Sequence, residues 1–270
     1  EPGELAARRW IALGLSGLAL GQWIWDLQVF VGWNPFPAPS DAAFLLPGLC
    51  MLTCFSVVMR KRLPATRHRQ VALDVIGFAL SAMALVLSLY LPRGLESTTM
   101  QMVVLTAYPV LLLSAGAAAL VMQFYLRLQW TVRWVALLVG VIGQSVVWMT
   151  WNMATLDNSL AAGAYLNLGF SVLALILGWG AAGWRLQEDR SARFDRFCEV
   201  CIRQLPLAMV AMTSAAIGLL VIDSRLPELV RNLLLVPALA AILFAALRQT
   251  MQLGERDRLL EAERVVAESR

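Results

Sequence analysis

Three features of this sequence predict an all-α fold: a polytopic membrane bundle of about eight transmembrane helices, ending in a charged linker helix. The chain is 59% hydrophobic with a mean hydropathy of +0.68. A soluble domain sits near half apolar, so the excess belongs in a bilayer. Charged residues make up only 15% and cluster between apolar runs of about 20 residues, the length that crosses the hydrocarbon. The last apolar run continues into RQTMQLGERDRLLEAERVVAESR, which is rich in the good helix formers Glu and Arg and has no proline to stop it. The expected division is a transmembrane sensor domain over 1–247 and a cytosolic linker helix over 248–270.

Span one is expected at about Trp10 to Val31, with Trp23, Trp25, Asp26 and Gln28 in its far third. GWNPFPAPS follows, and its three prolines exclude a helix. Span two, about Asp41 to Met59, starts at Ser40 or Asp41 as N-cap. RKRLPATRHR, the most basic stretch, is read as a loop. Span three covers about Gln70 to Leu91 and carries Asp74 near its start. Span four covers about Met100 to Leu126, with Pro109 as a kink inside it. Spans five and six are expected at about Trp134 to Met153 and Ala162 to Trp184. RLQEDRSARFDRFCEVCIRQ is read as a long loop holding a short interfacial helix, because Phe194, Phe197, Val200 and Cys201 recur at helical spacing. Span seven covers about Leu205 to Ile222, and span eight about Leu226 to Leu247.

The basic residues set the orientation. Arg8 and Arg9, the Arg60–Arg69 stretch, Arg127 and Arg133, the Arg185–Arg203 stretch and Arg248 onward fall on one side, whereas Arg93 and Arg225 fall on the other. The positive-inside rule then places both termini in the cytosol. The net charge of +4 invites a nucleic-acid partner. That reading is rejected, because the charge sits in short loops flanking spans.

Polar residues inside a membrane are costly and so informative. Gln144, Trp148, Trp151 and Asn152 lie at i, i+4, i+7 and i+8, on one face of span five. Gln22, Trp25 and Asp26 share a face of span one, and Tyr108 and Asn167 fall at similar depth. Together these nine residues are candidates to line an outward-opening pocket for a small or lipid-like ligand. The competing reading is an aromatic belt plus side chains that bond neighbouring helices. Asp74 is expected to pair with Arg67 or Arg69.

Other chemistry is excluded on composition. A single histidine, His68, cannot supply paired haem ligands or a His-rich copper site, and no metalloprotease, nucleophile-elbow or P-loop motif is present. The four cysteines, Cys50, Cys54, Cys198 and Cys201, are read as packed thiols, since a lone C-x-x-C lacks two zinc ligands. No cofactor, metal or catalytic residue is expected in these residues. In the tail, Leu259, Ala262 and Val266 follow the spacing of a parallel dimer seam, blurred by Leu260 and Val265. Gly254 is read as a soft joint between span and seam.

The turn Pro37-Ala38-Pro39-Ser40-Asp41-Ala42-Ala43-Phe44-Leu45 resembles the junction of the first two spans in many bacterial multi-pass membrane sensors. There a proline-rich turn precedes an Asp, and an aromatic residue and Leu follow. The resemblance implies the sensor region of a GGDEF/EAL (cyclic di-GMP) signalling protein, or of a related sensor histidine kinase. It implies an inner-membrane homodimer whose catalysis, diguanylate cyclase, phosphodiesterase or kinase, lies beyond Arg270. The charged helix at the chain end and the opening on Glu1 are both expected of a piece of a longer protein. Two rivals stand beside the sensor: a ligand-free membrane anchor and dimerisation module, and a small-molecule transporter. The transporter is disfavoured by the apolar inner halves of spans five, six and eight.

Overall fold

The computed structural model describes residues 2–33, 35–159, 165–189, 191–222 and 228–268. They form eight helices: α1 (Pro2–Phe30), α2 (Pro39–Arg62), α3 (Ala65–Tyr90), α4 (Thr99–Tyr125), α5 (Val132–Leu156), α6 (Leu166–Gly183), α7 (Ala192–Ile222) and α8 (Glu228–Glu268). No strand occurs among the described residues; the sole pairing of that kind is an isolated bridge between Leu128 and Glu188. Seven helices, α2 to α8, are long and apolar enough to cross a membrane. The chain is a multi-pass membrane bundle. Its outer surface carries apolar side chains such as Leu168, Leu175 and Val221, while Gln123, Ser145, Asn152 and Thr213 are buried inside. A water-soluble fold would place them the other way round.

Helix α1 falls outside the seven, because Gln22, Trp23, Trp25, Asp26 and Gln28 dilute its apolar run. It nevertheless packs antiparallel along α2. Gly14, Gly17 and Gly21 sit against Cys50, Leu46 and Phe44, and the Cys54 thiol donates to the Ala7 carbonyl. Small residues at this spacing let the two backbones approach closely. Helix α4 lies at the centre, packed on α2, α3 and α5. Helix α6 joins on the far side of α5, and α7 and α8 pack on α3. Gly140 and Gly180 close the α5–α6 contact at Leu177 and Leu137. Between α3 and α7, Thr213 donates to Ser81 at 3.0 Å and Ser81 donates to the Met209 carbonyl at 3.3 Å.

Several boundaries differ from the expected ones. The basic stretch is almost wholly helical: only Leu63 and Pro64 separate α2 from α3, so Arg67, His68 and Arg69 lie on the first turns of α3. Pro64 at the N-cap position allows that restart, since its missing N–H is one a helix start leaves unbonded anyway. The expected interfacial helix is continuous with span seven as α7, straight through Pro206. Proline leaves the carbonyl four residues back without its donor; here Gln252 of α8 donates to that carbonyl, Ile202, at 3.2 Å. Helix α8 runs unbroken through Gly254 to Glu268. The first residues expected in spans six and eight lie outside the described residues.

The arginine-bearing connections gather at one end of the bundle. Arg8 donates to the Trp184 carbonyl, Gln129 and Asp189 exchange backbone bonds with Gln187 and Arg127, and Arg127 pairs with Asp195 and Glu199. At the opposite end Gln101 donates to the Phe36 carbonyl and Arg93 pairs with Asp157. These are called the basic end and the proline-turn end below.

Candidate functional site

Two polar clusters stand out, one near each end. At the proline-turn end the start of α2 is organised by Asp41. Its Oδ2 accepts from the Ala38 backbone N–H at 2.6 Å, one of the donors a helix N-terminus leaves unsatisfied. Its Oδ1 accepts from the Tyr108 hydroxyl of α4. A carboxylate in the first turn also meets the positive end of the helix dipole. One turn further, Phe44 meets Trp148 edge-on, with centroids 5.5 Å apart. Tyr108 stacks on Trp148 at 4.2 Å and 6°. Phe170 of α6 closes the cluster, edge-on to Trp148 and Trp151 at 4.8 and 5.8 Å. Four helices thus meet on one half-buried indole.

Of the nine residues expected to line a pocket, the structure brings four together here. Tyr108 and Trp148 stack, and Trp151 joins through Phe170. Gln144 donates to the Phe170 carbonyl at 2.9 Å, while its Oε1 is buried without a partner. Asn152 is committed elsewhere: its Nδ2 donates to the Leu105 carbonyl at 2.9 Å. That carbonyl is the one Pro109 leaves without a donor, so Asn152 repairs the kink in α4. Asn167 is exposed on α6. Gln22 and Asp26 bond to each other at 2.9 Å on the exposed face of α1, and Trp25 is half-buried beside them. The α1 trio therefore stands apart from the Trp148 cluster. Asp41, Phe44 and Phe170 complete the site without having been singled out as its members. The signal for Phe44 and Asp41 was present in the proline turn; Phe170, in a run of apolar residues, gives none.

At the basic end Asp74, Tyr125 and Arg248 form a buried triad. Arg248 Nε donates to Asp74 Oδ1 at 2.8 Å and Nη2 donates to the Tyr125 hydroxyl at 2.7 Å. Tyr125 in turn donates to Asp74 Oδ2 at 2.9 Å. Both charged side chains are essentially without solvent contact. The expected pairing of Asp74 with Arg67 or Arg69 is thus corrected. All three lie on α3, and separations of seven and five residues miss the i+3 and i+4 reach of a helix. Arg248, from the far end of the chain, approaches from α8 instead. Low dielectric makes such a pair strong once formed and costly to break. The triad ties α3, α4 and α8 together at the basic end.

Comparison with known protein families, curated proteins and solved structures finds no match to this chain. Its reading rests on its own geometry. Among the described residues no group of His, Cys, Asp or Glu is arranged to hold a metal ion. Cys50, Cys54 and Cys198 are buried and Cys201 is half-buried, all as free thiols. In the tail, the backbone of Leu259, Ala262 and Val266 is helical within α8; the placement of their side chains lies outside the described residues.

Proposed function

We propose that this chain is the membrane sensory region of a bacterial signal-transduction protein. Its basic end faces the cytosol, following the positive-inside bias. A small or lipid-like ligand acts at the Trp148 cluster, and α8 passes the resulting shift to a paired linker. The output domain follows Arg270 and makes or degrades cyclic di-GMP, or is a histidine kinase. The observation that carries this reading is α8 itself: one helix of 41 residues, clamped by Arg248 to α3 and α4 within the last turns of its apolar stretch. A change in how α3 and α4 pack then cannot leave the linker untouched. The ligand moves the output only as far as it prefers one packing over the other. Catalysis is not assigned to these residues.

The anchor-and-dimerise reading draws support from one observation: the amide nitrogens of Asn152 and Gln144 are spent on backbone carbonyls rather than left open to a ligand.

Cysteine crosslinking of the chain in membranes tests the link. Substitutions at 259, 262 and 266 are expected to crosslink strongly, and those at 257 and 264 weakly. Arg248→Leu is expected to alter that pattern by releasing α8 from its clamp. Uniform or absent crosslinks, or a pattern indifferent to Arg248→Leu, would remove the mechanical basis of the sensor.

A further inference from the structure

A cavity of about 940 Å³ opens at the basic end among α3, α4, α7 and α8. Four arginines line it: Arg67, Arg127, Arg203 and Arg248. Part of its wall is apolar and includes Leu207 and Ile242. Leu207 is 63% exposed, so this wall continues onto the outer surface of the bundle, which faces lipid.

The charges do not cancel. Arg127 is taken up by Asp195 and by Glu199, the one carboxylate in the lining. Arg248 is balanced once, by Asp74, yet its Nη1 is buried with no hydrogen-bond partner. Among the described residues neither Arg67 nor Arg203 has a carboxylate partner. A buried guanidinium N–H without an acceptor is costly, and two further unpaired arginines beside it raise the local positive potential. A phosphate supplies several acceptor oxygens to guanidinium donors at once. Basic recesses between membrane helices on the cytoplasmic side suit anionic lipid headgroups.

We propose that this cavity binds an anionic phospholipid, with its phosphate on Arg67, Arg203 and Nη1 of Arg248 and an acyl chain along Leu207 and Ile242. A soluble phosphate would use the arginines but leave the apolar wall without a role. The site is separate from the Trp148 cluster and stands whether or not the chain is a sensor.

The test uses the whole chain in phosphatidylcholine bilayers, with spin-labelled phosphatidylglycerol and phosphatidylcholine as probes. The expected result is a preference for phosphatidylglycerol. Arg67→Gln and Arg203→Gln should each lower it about fivefold, the equivalent of about 1 kcal/mol per arginine near the membrane surface. Arg93→Gln, at the opposite end, should leave it unchanged. The charge-preserving pair Arg67→Lys and Arg203→Lys should keep most of it. If the lysine pair loses as much as the glutamine pair, the arginines act through structure and the proposal fails. It fails equally if both lipids associate alike, or if the glutamine variants keep the preference. Displacement of the labelled lipid by millimolar inorganic phosphate would assign the site to a soluble anion and overturn the lipid.

Discussion

The two ends of this bundle hold helices together by different chemistry. At the proline-turn end, Asp41 accepts from a helix start and from one phenol, and the rest of the contact is aromatic: Phe44, Tyr108, Trp148 and Phe170 around a half-buried indole. At the basic end, a full ion pair with a bridging phenol is buried at the wall of the arginine-lined cavity. Stacked and edge-on rings each contribute about 0.5–1.5 kcal/mol beyond area burial and tolerate sliding. An ion pair in low dielectric tolerates neither removal nor displacement of one partner. The first contact is the softer of the two, the second the more rigid.

The sharpest way to break that contrast is Asp74→Ala. It leaves the Arg248 charge buried and unpaired, so the expected loss is about 3–5 kcal/mol, read from unfolding in mixed micelles. Adding Arg248→Leu should recover most of it, because removing both charges abolishes the uncompensated burial. A single variant as stable as the parent would mean that Arg248 reaches solvent and that the basic end is no clamp.

Tyr108→Phe is the matching change at the other end. It keeps the stack on Trp148 and deletes the donor to Asp41. Hydrogen bonds to charged groups contribute about 1.5–3 kcal/mol, so a loss in that range is expected. A loss equal to that of Asp74→Ala would erase the distinction between the ends.

The smallest expected effect concerns a repair rather than an anchor. Asn152→Ala should cost about 0.6 kcal/mol, the average for a side-chain hydrogen bond between membrane helices. Pro109→Ala restores a backbone donor to the Leu105 carbonyl, so the cost of Asn152→Ala should fall when both changes are combined. Additive effects in that double-mutant cycle would show that Asn152 does not serve the carbonyl freed by Pro109.

Composition and periodicity alone determined the class of this protein. Apolar runs of membrane length, interrupted by charged turns, leave a chain few options except helices that satisfy their own backbone. They also located each helix to within a few residues, apart from the start of α1, which begins at Pro2 rather than about Trp10, the basic stretch, and the segment before span seven. Before span seven the helix extends further because a neighbouring helix completes what a proline withholds, as Gln252 does for Ile202; in the basic stretch Pro64 sits at a helix start, where its missing N–H costs nothing. The face shared by Gln144, Trp148, Trp151 and Asn152 was legible too, since helical spacing is local.

Partners were not legible. Helical spacing says which residues of one helix share a face, but not which helix that face meets. Only the packed structure decided that Trp148 takes Tyr108 and Phe170, that Asn152 answers Pro109, and that Gln22 and Asp26 answer each other on the outside. The same holds for Asp74. Its burial demands a cation, and sequence proximity points to Arg67 or Arg69. The geometry of α3 carries both out of reach, and the cation arrives from Arg248, 174 residues away.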